Sequence, residues 1–538
     1  MKGEGCSNLQ QLAKVVIDNA VYPNKTMLAK RSAFVEHAET FHREACIPFN
    51  ADHGGVILMS AHQPNLFPYS GVVRKLVLVH AVAEQLRNTL NSPVMELFCF
   101  ADQDFADERY FREAQLPSVR GKNGTLELRL AVPSTYGKKL MRAVPKPDEA
   151  QIKRLKDQIE RWVRESTESI IKHCRQLGLH APEIVLDTRA TFELIDQASE
   201  KSANMADFNS FFLAYLAQEY SLDTIFARFS QCQQVFSEEI TFILEHFDLY
   251  ARLMAQPYNQ SVPTTPAPIW YHCPCDGKAD VKLIPTPHTG LIATCRACQA
   301  TVGFKGDLGS ALKQMLPDIS LRAEALLLAF SGIGITYYVG GKGGVEYLRR
   351  ANRVADGLRM PFPVVSIWRP QDVYGGIGQL DAILELLRIR AEYNLANDER
   401  TCNTDVLNSE LNDLLLDIDQ AISSLEKLKA NIASRKVDGF KETIGVIVQI
   451  QHQLKAQLDR SKIARDRSIV NNVAKTLRVM PSILDYTINI GLERTAAQWM
   501  DTLQSNRPFE ADIPLTTNAS SDELFGTVKQ LCGGDLFE

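Results

Sequence analysis

The chain has 538 residues, 45% of them hydrophobic and 23% charged, with a formal net charge of -5. That length exceeds one compact core and points to about three units of ~100–200 residues each. The charge balance gives no argument for general nucleic-acid binding, no apolar run reaches the ~18 residues of a membrane span, and the opening MKGEGCSNLQQLAK lacks the apolar core of a secretory leader. A cytoplasmic protein without a membrane partner is expected.

In chain order, residues 1–50 read as helical, with Phe34, His37, Ala38, Phe41 and His42 on one face that packs over a sheet. Residues 56–59 form an unbroken apolar run suited to a buried parallel strand. Val72, Val73, Leu76, Val79 and Ala83 then follow helical spacing, with Ser70 placed to cap the helix. The loop between them, residues 61–69, lies at the carboxyl end of the strand, where open α/β sheets hold their ligands. It offers His62, Gln63 and Asn65, and Arg74 and Lys75 one turn into the helix favour a carboxylate or phosphate. A plain surface loop is the competing reading.

Residues 94–100 make a second strand that ends in Asp102 and Asp104, with Asp107 and Glu108 behind. Paired carboxylates there can take a proton from a substrate amine, bind an ammonium or hold a cation; a solvated acidic turn is the alternative. Residues 125–130 alternate as a half-buried strand, 148–178 form a long amphipathic helix, 184–188 read as a strand, and 205–216 as an apolar helix.

Four of the eleven cysteines fall between positions 273 and 298, as Cys273-Pro274-Cys275 and Cys295-Arg296-Ala297-Cys298. Two knuckles separated by short strands at 281–284 and 291–294 can bring four thiolates onto one tetrahedral zinc, and His272 can replace a cysteine. A redox pair or free thiols are the alternatives. Such a closed site is structural, because every coordination position is filled by protein.

A β-rich run from 333 enters the glycine turn of Gly340, Gly341, Lys342, Gly343 and Gly344 and then a helix carrying Tyr347, Leu348, Ala351 and Val354. Glycines let backbone N–H groups approach a ligand and Lys342 adds charge, although a tight turn explains the same residues and the spacing is not that of a Walker A loop. Residues 363–369 give a further strand. Leu407, Leu411, Leu414, Ile418, Ala421, Leu425, Leu428 and Ile432 then form a heptad seam over 405–434. Asp438-Gly439 breaks it, and Phe440, Ile444, Ile447, Leu454 and Leu458 resume it, so two arms pair antiparallel. Lys455, Arg460, Lys462, Arg465 and Arg467 make the later part basic; a solvated face is favoured over an RNA contact.

The collinear order of HQPNLF with its helix, FCFADQDF, ADFNSFFLAYL, AEALLLAF, YYVGGKGGVEYLRR, MPFPVVSIWRP, the helical hairpin and SILDYTINIGL resembles the cysteine-adding enzyme family of bacillithiol biosynthesis over nearly the whole chain. The resemblance implies an α/β fold: a Rossmann-like parallel sheet core related to class I aminoacyl-tRNA synthetases, with helical insertions and a coiled coil. Here a zinc-ribbon-like insert is added. The units implied are 1–262 and 306–400 for the two parts of the core, 263–305 for the insert, and 401–538 for the coiled-coil hairpin and C-terminal helices.

The implied activity is a carbon-nitrogen ligase joining cysteine or a related amino acid to the amine of a small acidic sugar conjugate such as glucosaminyl malate, with ATP to activate the carboxyl and a homodimer formed through the coiled coil. His62, Asp102 and Asp104 are the expected catalytic residues. Gln63, Asn65, Arg74, Gly340, Gly341 and Lys342 are expected to bind substrate, and Cys273, Cys275, Cys295 and Cys298 to bind structural zinc. The chain departs from the family in three places: His62 and Asn65 are new to the first loop, Gln103 stands where the family has an imidazole between Asp102 and Asp104, and Lys342 replaces proline. The alternative is a non-catalytic, synthetase-like binding protein that uses the coiled coil and ribbon for protein or RNA contacts.

Overall fold

A computed structural model describes residues 2–255, 267–284, 290–393, 395, 403–435, 440–457, 460–517 and 521–532. The expected hairpin break at Asp438-Gly439 and the seam position Leu458 lie outside these residues, as do the side chains of Lys342, Ile418, Phe440, Leu454, Lys455 and Arg460.

In chain order the first strands are β1 (Val56–His62) and β2 (Val94–Phe100), then a hairpin of β3 (Glu113–Pro117) and β4 (Thr125–Arg129), then β5 (Thr224–Arg228). An antiparallel sheet follows, built from β6 (Ile269–His272), β7 (Lys278–Ile284), β8 (Gly290–Cys295), β9 (Thr301–Lys305) and β10 (Ile319–Leu321). The last strands of the core are β11 (Ile335–Gly340) and β12 (Val364–Ile367).

The core sheet is all parallel, in the order β12-β11-β1-β2-β5. Counted along the chain among its own members, this is the doubly wound arrangement, with the winding direction reversing between β1 and β11. The residue pattern explains why it is buried on both faces. Along β1, Val56 and Leu58 enter one apolar cluster and Ile57 and Met59 the other; along β2, Phe98 and Phe100 face the first and Leu97 and Cys99 the second. Successive side chains point to opposite faces, so only a strand covered by helices on both sides can be apolar at every position. The Ser70–Thr89 helix covers the first face through Val72, Val73 and Leu76, and the Val345–Leu358 helix contributes Leu348 to the second.

Several local expectations are corrected. Ser70 does not cap its helix: Tyr69 occupies the cap position without a side-chain hydrogen bond, and Ser70 is the first helical residue. No strand forms at 184–188; Val185 is 70% exposed, and an extended apolar run without a neighbouring strand to pair with stays irregular. The antiparallel sheet runs past residue 305, because β10 pairs with β6 and becomes its edge strand. In line with expectation, His37 and His42 belong to the Lys25–Ala45 helix, and the His42 ring accepts the Phe226 N–H at 2.9 Å, a packing role.

The expected hairpin is present as helices Thr404–Arg435, Phe440–Gln457 and Arg460–Arg478. Its seam is buried at Leu407 and Leu411 near the core, while Leu428 farther along is largely exposed. Among the described residues no helix is long and apolar enough to cross a membrane.

Candidate functional site

The reversal between β1 and β11 leaves a crevice at their carboxyl ends. A cavity of about 450 Å³ opens there, lined by His62 and Gln63 from the end of β1, Asp104 from beyond β2, Gly341 from beyond β11, and Lys75 from the helix after β1. A larger cavity of about 1110 Å³ adjoins it, sharing Tyr69, Lys75, Gly341 and Gly343, and adds Ser70, Arg74, Gly340, Trp368 and Arg369.

Asp104 is the acid of the smaller cavity held from three sides. Its carboxylate accepts from the Gln63 amide, from the Phe105 N–H at 2.9 Å and from the Lys278 ammonium at 3.2 Å. Burial would raise its pKa, but Lys278, Gln63 and the Phe105 N–H outweigh burial and hold it below the usual carboxylate value. It is therefore an anion at neutral pH.

His62 donates from Nδ1 to its neighbour's carbonyl, Gln63 O, at 3.1 Å and accepts from the Tyr69 hydroxyl at Nε2, 3.3 Å away. Burial, reinforced by the Lys75 ammonium, pushes the imidazole down to about 3, so it is neutral. Lys75 donates to the Ala61 carbonyl at 3.2 Å, and burial lowers it to about 8. A Cβ on Gly341 would stand 3.3 Å from Lys75 Cε, so glycine keeps the turn close to that ammonium.

The neutral state of His62 has a consequence for stability. An unfolded histidine titrates near 6.5, so between about pH 6.5 and 3 the unfolded chain takes up a proton that the folded chain refuses. Stability is lost as pH falls through that window. The expected outcome is that His62→Gln loses about 2 kcal/mol less than the unaltered protein between pH 7 and pH 4 in denaturant unfolding. Parallel pH dependences for the two proteins would show that His62 titrates normally.

The antiparallel sheet supplies the remaining wall. Trp270, Lys278, Leu321 and Arg322 line the smaller cavity together with Glu324, Tyr338 and Tyr347. Arg322 lies 3.7 Å from the Trp270 ring centre and pairs with Asp280 at 3.0 Å, while Lys278 sits between Phe105 and Trp270 at 4.8 and 5.0 Å from their ring centres. No sequence pattern pointed to Lys278, Trp270 or Arg322. The one signal for Lys278 and Trp270 is closeness to the first cysteine knuckle, and Arg322, far beyond it in the chain, carried none.

Two expected residues are not brought to the cavity. Asp102 turns away to accept from the Ser230 N–H at 3.0 Å and from its hydroxyl; burial raises its pKa against those hydrogen bonds, and it ties the segment after β5 to the end of β2. Asn65 is buried beside Leu66 and Phe67, in a loop where Phe67 adopts φ 39°. Arg74 reaches the larger cavity but is held by Asp372 at 2.5 Å, and Gly340 lines that cavity too. Lys342 opens the short helical turn Lys342–Gly344.

Cys273, Cys275, Cys295 and Cys298 converge, with every pair of sulfurs within 4.8 Å and the Cys273–Cys298 and Cys275–Cys295 pairs at 3.6 Å. A tetrahedral ion with metal–sulfur bonds of about 2.3 Å requires sulfurs about 3.8 Å apart, so the four residues can hold a metal ion. Both knuckles turn through a left-handed residue directly after the second cysteine, Asp276 at φ 63° and Gln299 at φ 62°. A Cβ on Gly277 would lie 2.8 Å from Cys295 Sγ, so only glycine leaves the sulfurs room. His272 is outside the cluster, buried, with Nδ1 3.4 Å from Arg142.

No family model matches the chain, and no curated protein matches it. Among solved structures, a Campylobacter jejuni crystal structure provisionally described as an arginyl-tRNA synthetase is similar, with 10% identity, a TM-score of 0.24, and coverage of 90% of this chain and 98% of that one. At that distance the likeness identifies no activity.

Proposed function

We propose that the protein is a ligase that joins the carboxyl of cysteine or a related amino acid to the amine of a small acidic sugar conjugate, using ATP. The observation that supports this most is the ionised Asp104 at the carboxyl end of β2, held between Gln63 and Lys278 and sharing one cavity with Lys75. A carboxylate so placed can orient an attacking ammonium and take its proton, while the Lys75 ammonium attracts a substrate carboxylate.

A cavity of about 450 Å³ suits a small metabolite. A nucleotide belongs in the larger cavity, where the glycine turn of Gly340, Gly341 and Gly343 lets backbone approach a ligand closely and the Arg369 guanidinium attracts phosphates. The metal of the four cysteines is taken to be zinc, with a structural role.

Purified protein is incubated with ATP, glucosaminyl malate and a panel of amino acids, and products are read by mass spectrometry. A conjugate whose mass is the sum of amino acid and acceptor less one water, formed only with ATP, is the expected result. The second reading is a non-catalytic binding protein, favoured by the exposed Leu416, Leu428, Val446 and Ile450 of the hairpin. No turnover across the panel, with a protein partner retained on the hairpin, would replace the first reading by the second. Pairing of two copies through the hairpin belongs to both, and sedimentation equilibrium measures it.

A further inference from the structure

The cysteine knuckles and the pocket share a stretch of backbone. Lys278 is the third residue after Cys275, and its carbonyl accepts the N–H of Arg296 at 2.9 Å, from between Cys295 and Cys298. Within the first knuckle the Cys273 N–H donates to the Gly277 carbonyl at 2.8 Å. The Asp276 carbonyl accepts from Leu140 at 2.8 Å, and the next residue, Met141, donates to the backbone carbonyl of Asp104 at 2.9 Å. Two adjacent residues therefore tie the metal-ligand turn to the loop that carries the pocket carboxylate.

Lys278 itself is only 4% exposed. A lysine fixed in that way gives up its rotamer freedom and most of its hydration, so its position needs a rigid backbone behind it as well as a carboxylate in front. Without the ion the four thiols are not cross-linked, and the two knuckles are left to the Arg296–Lys278 backbone bond and the end of the β7–β8 ladder, β7 beginning at Lys278 itself.

We infer that the metal bound by Cys273, Cys275, Cys295 and Cys298 positions Lys278 against Asp104, so that loading of the ribbon sets the geometry and charge balance of the pocket. Lys278 is thus a positioning residue. It acts on substrate through Asp104, and only Asp104's role in proton transfer rests on the ligase reading. The closed thiolate set leaves no place for substrate on the ion, so the influence passes through the backbone. The other cations near Lys278, Arg296 and Arg322, are both engaged by Asp280 and do not replace it at Asp104.

The full-length protein is loaded with Zn2+ and divided, one half being stripped with a chelator, and both are acetylated briefly at lysines and mapped by mass spectrometry. Lys75 serves as the internal reference, since it is also buried but lies on the helix after β1. Stripping is expected to raise acetylation of Lys278 by about tenfold or more while Lys75 stays protected, and adding Zn2+ back reverses the change. Protein that takes up no Zn2+, Lys278 that stays protected after metal analysis shows the ion gone, or both lysines rising together would each overturn the inference.

In the ligase assay Lys278→Met moves the acid limb of the pH profile upward, because Asp104 loses its neighbouring cation, and Lys278→Arg restores it. An unmoved limb overturns the positioning role. Absence of turnover in every variant, the unaltered protein included, sinks the ligase reading instead and leaves the acetylation result to decide the inference by itself.

Discussion

Cys295→Ser with Cys298→Ser is expected to abolish metal binding and to split unfolding into two steps. Replacing two of four thiolates removes half the ligand set, and structural zinc sites supply apparent binding free energies of about 10–16 kcal/mol when all ligands are present. That free energy is not subtracted from the whole chain. β6 and β8 also bury Ile269, Leu291 and Ala293 in the cluster that contains Phe236 and Phe330, and this apolar packing survives loss of the ion. The expected result is an early transition confined to the antiparallel sheet, with the parallel core unfolding near its original midpoint. Cys295 is buried, so its serine carries a desolvation cost of its own. Chelation of the unaltered protein separates the two effects: if metal loss is the cause, the chelated protein shows the same early transition. Unchanged metal content in the double variant would reject the assignment.

How much of this could be read beforehand depended on how local each determinant is. β1, β2 and the helix between them were legible because a run such as 56–59, apolar at every position, has few other solutions, and the residues just after such strands are placed by topology alone. His62, Gln63, Asp104 and Gly341 were expected at the crevice on that ground, and all four line the smaller cavity. β5 was not, since Thr224–Arg228 is a five-residue strand directly after a helix and a turn, although Thr224, Ile225 and Phe226 carried a β-branched and aromatic signal. The opposite error at 184–188 has the same origin, because a short apolar run says nothing about whether a partner strand is present. Asn65 was misplaced because the course of its loop, which includes the left-handed Phe67, is not foretold by any propensity.

The other half of the pocket was hidden by distance along the chain. Lys278 stands 174 residues from the carboxylate it serves, and nothing in either segment announces the other. The cysteine spacing disclosed the ribbon as a unit but not its place, so the insert read as an appendage. Its position against the crevice between β1 and β11 makes it a wall of the pocket.

Asp104→Asn is expected to lower turnover by about 10²-fold or more, the scale for loss of a positioned general base. On sequence grounds the unfolding midpoint would be unaffected, but the Lys278 pairing changes that expectation. The substitution leaves a buried ammonium facing a neutral amide. Breaking a fully buried pair costs about 3–5 kcal/mol; Asp104 keeps 35% of its side-chain exposure, so about 1–3 kcal/mol is expected here. Lower stability could then be mistaken for the cause of lower turnover. A second variant, Asp104→Asn with Lys278→Met, resolves this, because removing both charges relieves the unpaired ammonium. Stability should recover to within about 1 kcal/mol of the unaltered protein, while turnover stays at the level of the single variant, since no carboxylate has been returned to the pocket. Both quantities are measured on one preparation, by denaturant unfolding and by product formation. If turnover recovers along with stability, Asp104 is a structural partner of Lys278 and the proton acceptor must be sought elsewhere among the groups that line the cavity.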